Sequence, residues 1–297
     1  MLTGSKPAGM TIIGCGYTGL RLAARARETG LAVTGLVRTE ASVDALAALG
    51  VPCRRLDLDG PSTSLDDRDI EGRSLVYMVP PPATGVEDAR AQTLLDSLPS
   101  RPHAIVYLST SGVYGDCRGD RVFEDTPVRP ETPRATRRVA AESVFRAWSA
   151  KTGVPLRILR VPGIYGPGRL PVDRIQRGVP VPQPGTTGPG HRIHVDDLAR
   201  VCLAAAAYGG RFDVFNVGDG DYRDMNAYFR AVADACGLPR PPELPLSVLL
   251  EKISPAMASF LTESRLLDLT RLAEELRFSP LYPSFEAGIA ASLDGPG

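Results

Sequence analysis

Gly14-Cys15-Gly16-Tyr17-Thr18-Gly19 constrains this chain most, because it fits G-x-G-x-x-G and stands between an apolar run, 10–13, and a helical pattern carrying Leu20, Leu22, Ala23 and Ala26. In that setting each glycine serves the backbone in its own way. Gly14 allows the tight turn, Gly16 lets the main chain approach a pyrophosphate, and Gly19 lets helix and strand pack closely. The helix N-terminus adds aligned N–H donors and a positive dipole for an anion. A strand, glycine turn and helix in this order predict a dinucleotide-binding α/β fold.

The chain beyond the turn keeps to that pattern. Apolar, β-rich runs predict strands over 31–37, 54–56, 75–79, 104–108 and 156–159, with helices over 42–49 and from about 137 to 151. The alternation predicts a doubly wound parallel sheet of the Rossmann type, with helices on its faces. The stretch 162–190 is dense in Gly and Pro and reads as an irregular excursion. A buried helix over 196–208 and a strand over 212–217 should return to the sheet. The expected division is an NADP-binding Rossmann domain over 1–166 and a smaller, mainly helical substrate lobe over 167–297, with about 192–218 rejoining the sheet.

At the end of the second strand, where an NAD-binding chain places an acid for the ribose hydroxyls, the sequence is Leu36-Val37-Arg38-Thr39. Arg38 can make charge-assisted bonds to a 2′-phosphate, so NADP(H) is expected over NAD(H).

Charge narrows the partners. Lys and Arg number 34 against 34 Asp and Glu, a formal net charge of zero, so no long-range field draws the chain to nucleic acid or an anionic membrane, and small molecules are the expected partners. Five scattered cysteines without a C-x-x-C pair fit a reducing cytoplasm. No run approaches the eighteen apolar residues of a membrane span, and residues 1–10 lack a secretory core. His103, His191 and His194 have no metal-ligand spacing, so no metal site is expected. His194 reads as structural, just before a helix capped by Asp196 or Asp197. Neither a G-x-S-x-G elbow nor a P-loop is present.

Further motifs carry a resemblance. Asp57-Leu58-Asp59 follows the third strand, Val79-Pro80-Pro81-Pro82 the fourth, and Leu108-Ser109-Thr110-Ser111-Gly112-Val113-Tyr114-Gly115 the fifth. Arg160-Val161-Pro162-Gly163-Ile164-Tyr165-Gly166-Pro167-Gly168, then Arg192-Ile193-His194-Val195-Asp196-Asp197-Leu198-Ala199 and Phe215-Asn216-Val217-Gly218, come later. With the glycine turn, these make the chain resemble the extended short-chain dehydrogenase/reductases of the NAD-dependent epimerase/dehydratase superfamily, closest to their atypical members. The resemblance implies that Asp57 and Leu58 border the adenine, Val79 and Pro80 the ribose, and Val161, Pro162 and Gly163 the nicotinamide. It implies that Thr110 hydrogen-bonds the reacting oxygen, with Ser111 the adjacent candidate, and that the protein is a homodimer. Ser and Gly after Thr110 replace the Asp-Glu pair of sugar-nucleotide dehydratases, which disfavours that chemistry.

One departure bears on mechanism. The family's Tyr-x-x-x-Lys is replaced by Arg134 and Arg138, and none of the three lysines follows a tyrosine by four. Arg138 can still bond a ribose, and Arg134 can attract a carboxylate or stabilise an oxyanion. Neither donates a proton at neutral pH. A relay would need Tyr165, Tyr114, water or the substrate, with Tyr165 first in line from its place after the nicotinamide-side segment. The leading expectation is therefore an NADP(H)-dependent oxidoreductase moving a hydride to or from a small carbonyl or imine. The alternatives are a catalytically silent NADP-binding sensor or scaffold and a nucleotide-sugar epimerase.

Overall fold

The computed structural model describes residues 7–60 and 65–294; residues 1–6, on which the absence of a secretory signal partly rests, lie outside it. Its first part alternates β1 (Gly9–Ile13), α1 (Tyr17–Glu28), β2 (Val33–Val37), α2 (Glu40–Ala48), β3 (Cys53–Arg55), β4 (Arg73–Tyr77), α3 (Ala89–Asp96) and β5 (Ala104–Thr110). After β6 (Arg121–Val122) come α4 (Pro133–Thr152), β7 (Leu156–Val161), β8 (Gly163–Tyr165), α5 (Val172–Gln176), β9 (Val181–Pro182), β10 (Arg192–His194), α6 (Val195–Ala207) and β11 (Val214–Asn216). The remainder is α7 (Met225–Ala235), β12 (Glu243–Leu244), α8 (Leu246–Leu250), α9 (Pro255–Thr262), β13 (Leu266–Leu267), α10 (Thr270–Glu275) and α11 (Phe285–Asp294).

Seven strands form one parallel sheet in the order β11-β7-β5-β4-β1-β2-β3. Its central strands are largely buried because helices cover both faces, whereas the edge strand β3, Cys-Arg-Arg, is half-buried to exposed. Successive residues serve opposite sides: Ile12 and Val106 pack under α1 and α6, while Ile13 and Ile105 pack with α3 and α4. On the second face Tyr77 and Tyr107 meet Phe145 at 5.3 and 4.8 Å between ring centres. A separate cluster of Ile175, Val181, Tyr228, Phe229, Val232, Phe285 and Ile289 holds α5, β9, α7 and α11 together.

Local signals explain where the elements depart from expectation. The helix expected from about 137 starts at Pro133, because Thr132 caps it by accepting from the Ala135 N–H and proline suits the first turn. This places Arg134 on the helix, one turn below Arg138. Helix α3, capped by Asp88, was not foreseen. Within the excursion over 162–190, β8 pairs in parallel with β10. His194 itself caps α6, its Nδ1 accepting from the Asp196 N–H, in place of either aspartate; buried Asp197 instead receives the N–H groups of Leu281 and Tyr282.

Candidate cofactor and substrate site

Strand order reverses between β1 and β4, and doubly wound sheets take ligands in the crevice beyond the carboxyl ends of the strands at such a point. Three cavities open there. The first, about 300 Å³, lies between the glycine turn and the ends of β2 and β3, lined by Gly14, Cys15, Gly16, Arg38, Ser42, Asp57, Leu58, Asp59, Val79, Pro80 and Arg90. Gly14 has φ +90°, and a Cβ on it would lie 3.0 Å from the Val79 amide. A Cβ on Gly19 would approach the Gly14 carbonyl at 3.2 Å, whereas one on Gly16 would meet nothing within 4 Å. The open approach at Gly16 is what a pyrophosphate requires. No side chain caps α1, so its first N–H groups are left for an anion. These features fit a dinucleotide.

Arg38 does not stand alone in this pocket. Arg90, on the unforeseen α3, donates through Nε and Nη2 to Asp59 at 2.7 and 2.6 Å and through Nη1 to the Pro80 carbonyl at 2.9 Å. Arg38 Nη1 reaches the same Asp59 carboxylate at 3.2 Å. The bonds from Arg90 are the largest of the effects holding Asp59 below the usual carboxylate range. An acid therefore does enter this pocket, from beyond β3 and not from the end of β2, and it arrives paired with two arginines. Its neighbours Asp57 and Leu58 line the pocket, with Asp57 Oδ1 accepting from the Asp59 N–H.

The second cavity, about 390 Å³, runs from the glycine turn, including Tyr17 and Thr18, to Thr110, Arg134, Arg138, Val161 and Pro162. The third, about 430 Å³, shares Thr110, Arg134, Pro162 and Arg169 with it and adds Ser111, Gly163, His191, Arg192 and the 259–265 segment. The shared walls make one continuous path. The end of β5 delivers Thr110, whose Oγ1 accepts from the Gly112 N–H and so caps the short turn over 111–114. Arg138 Nη1 donates to the Leu108 carbonyl at 2.9 Å and to the Tyr107 hydroxyl at 3.3 Å, which fixes the guanidinium against β5. Arg134 lies over the Phe260 ring, 4.8 Å from its centre. Desolvation and then the charge of Arg138 draw the Arg134 pKa below the ordinary guanidinium value.

The structure separates Tyr165 from this path. It is 2 % exposed, packed edge-on against His194 and Tyr228, and lines neither of the two cavities that contain Thr110. Burial first, then the carboxylates around it, raise its pKa far above the ordinary phenol value. The proton relay expected from Tyr165 is therefore corrected: the side chain belongs to the separate cluster that holds α5, β9, α7 and α11 together. Tyr114 is equally committed, bonded to Asn216 Oδ1 at 2.7 Å and to Arg160 Nη1 at 2.9 Å.

Sequence reading also missed the support beneath Thr110. Glu142 and Arg160 form a buried ion pair, with Nη2 at 2.8 Å from Oε2, and Ser109 Oγ donates to Glu142 Oε1 at 2.6 Å. Such groups leave no periodic trace, because a lone acid on α4 and a lone arginine in an apolar strand find each other only in the fold. His191 accepts no catalytic role on this geometry: its Nε2 bonds the Arg265 carbonyl at 2.6 Å, and burial pushes its pKa down to about 4. No cluster of potential metal ligands occurs among the described residues, and no helix there is long and apolar enough to cross a membrane.

Comparison with known proteins supplies relatives. Residues 89–218 match the model of the NAD dependent epimerase/dehydratase family. Protein YeeZ of Escherichia coli (strain K12) is 29% identical over 286 residues, spanning 92% of this chain and 96% of that protein. Among solved structures, a conserved protein of Silicibacter pomeroyi DSS, described as functionally unknown, superposes with a TM-score of 0.79 at 28% identity, covering 96% of this chain and 98% of its own. The UDP-glucuronic acid 4-epimerase of Bacillus cereus in complex with NAD superposes at 0.75 over 96% of this chain and 97% of its own, and at 18% identity it shows the shared fold.

Proposed function

We propose that this chain, which matches the NAD dependent epimerase/dehydratase family model over residues 89–218, is an NADP(H)-dependent oxidoreductase of atypical short-chain dehydrogenase type, acting on a small carbonyl or imine. The observation that carries this reading is the unbroken path from the Arg38 and Arg90 pocket, past the open glycine turn, to Thr110. Arg38 and Arg90 would hold a 2′-phosphate, the α1 N-terminus the pyrophosphate, and Arg138 the ribose. Val161 and Pro162 would flank a bound nicotinamide, which would supply or take up the hydride. Thr110 Oγ1 hydrogen-bonds the reacting oxygen or nitrogen, and Arg134 meets negative charge that develops there.

None of these groups is a ready proton donor, since guanidinium holds its protons too tightly at neutral pH. An iminium substrate arrives protonated and removes the need for one, which favours imine over carbonyl. A silent NADP-binding sensor is the second reading, favoured by arginines in both Tyr-x-x-x-Lys positions and by the burial of Tyr114 and Tyr165. The two part at Thr110→Ala. In an enzyme, this variant should keep the wild-type NADPH affinity by fluorescence titration and lose turnover by about 100-fold or more. A wild-type protein that binds NADPH yet oxidises none against a panel of imines and carbonyls supports the sensor, and one that binds neither NADPH nor NADH sinks both readings.

A further inference from the structure

The third cavity is lined by four arginines and only one acid, Glu263, which is already committed to Arg265 at 2.8 Å. The side chains of Arg134, Arg169 and Arg192 form no hydrogen bond or ion pair among the described residues. Arg192 is the telling one. Its guanidinium lies over the rings of Tyr228 and Phe285, 4.2 and 5.2 Å from their centres, and its Nη1 is buried without a partner. Asp219 stands nearby, but it makes no ion pair with Arg192, and its own Oδ2 is also unpartnered. Burial lifts the Asp219 pKa to about 7, and the charges of Asp219 and Asp221 reach Arg192 only through space, with no hydrogen bond or ion pair to it.

A guanidinium that no carboxylate bonds keeps its donors unmet, and on the wall of a cavity those that face the space are free for an anion that enters. The position of Arg192 limits the size of that anion's carrier. Its Cα is the register partner of Gly163 across the β10–β8 pair, and adjacent strands lie about 4.8 Å apart. Gly163 is the residue expected beside the nicotinamide. The anion site is thus close to the reacting carbon, and a half-buried guanidinium on the wall of a cavity whose one acid is already committed suits one compact, planar anionic group.

We propose that the third cavity takes a small 2-imino or 2-oxo acid, with its carboxylate held by Arg192 and supported by Arg169, and its neighbouring carbon presented at Thr110. This inference rests on reading the third cavity as the substrate site. Arg192 is then a substrate-binding residue that sets specificity for acids, and the matching amides and esters should be poor ligands.

The test is calorimetric titration of the full-length protein with oxamate, inorganic phosphate and UDP, with and without saturating NADPH, for the wild type, Arg192→Met and Arg192→Lys. Oxamate should bind the wild type and lose about tenfold or more in affinity in Arg192→Met. Arg192→Lys should bind it weakly, because an ammonium cannot make the planar two-point contact. In thermal melts without ligand, Arg192→Met should equal or exceed the wild type, since an unpaired buried charge has been replaced by an apolar chain of similar length. The inference is overturned if oxamate fails to bind in either condition, if Arg192→Met binds it normally, if UDP binds and displaces it, or if Arg192→Met and Arg192→Lys both melt well below the wild type. NADPH titration alone decides the cofactor reading, and oxamate binding, with or without NADPH, decides this one.

Discussion

Replacing Arg38 with alanine should leave folding intact while removing most of the preference for NADPH over NADH. Arg38 is 60% exposed and makes one bond, 3.2 Å, to a carboxylate that is itself 44% exposed. Losing an exposed pair of this kind costs about 0–1 kcal/mol, so the melting temperature should hardly move. A charge-assisted bond to a 2′-phosphate is worth about 1.5–3 kcal/mol, which is roughly 10- to 150-fold in affinity. Two features of the pocket set the value within that range. The phosphate must draw Arg38 away from Asp59, which offsets part of the gain, and Arg90 remains behind to meet the phosphate when Arg38 is gone. Both point to the lower end, about tenfold for NADPH with NADH unchanged. The assay is nicotinamide fluorescence titrated at one fixed ionic strength, because salt screens exposed charges. If the wild type shows no preference for NADPH, or if Arg38→Ala weakens both nucleotides equally, the assignment of a 2′-phosphate to this pocket is wrong.

Glu142→Gln tests the support beneath Thr110: it leaves Arg160 buried without its counter-charge and should cost roughly 3–5 kcal/mol, a fall in melting temperature on the order of 10 °C, with NADPH affinity per folded molecule unchanged. A melt within a degree or two of the wild type would show the pair to be dispensable. Two buried groups should give the stability a pH dependence of opposing signs. His191 is depressed to about 4 from 6.5, so the unfolded chain binds the extra proton, and its contribution is present above pH 6.5 and lost as pH falls toward 4. Asp219 is raised to about 7 from 3.8, so its contribution is present at low pH and lost as pH rises through 7. Urea melts at pH 5 and 7 should therefore show, relative to the wild type, His191→Gln losing stability toward pH 7 and Asp219→Asn gaining it; two variants with the same slope as the wild type would refute both assignments.

How much of this was legible before the fold was known depends on the reach of each signal. The glycine turn could be read because its meaning is local: a strand, three glycines and a helix within twenty residues carry their own geometry. Strand alternation was legible for the same reason, since burial on both faces writes itself into each strand separately. Arg90 was not, for its helix is short and its role depends on Asp59, thirty-one residues away, and on the end of β2. The start of α4 was within reach, because Thr132-Pro133 is a cap followed by a first-turn proline, and following that signal would have put Arg134 and Arg138 on one helix face from the outset.

The least legible feature is the one that decides the chemistry. The matching stretch shows what is missing, an acid and its lysine, but a sequence marks an absent group without marking its replacement. Tyr165 looked suitable because it follows the nicotinamide-side segment by two residues, yet β8 turns that side chain into the lobe core, against Gly288, where an added Cβ would lie only 2.0 Å from the hydroxyl. Arg192 had no motif value at all beyond its place in a shared run. What marks it is the combination of a buried donor with no acceptor and a place on the cavity wall, and that becomes visible only when every neighbour is in place. On the function proposed above, a chain with Arg134 and Arg138 in the Tyr-x-x-x-Lys positions and Arg192 unpaired on the cavity wall would depend less on a protein acid than on the charge its substrate brings.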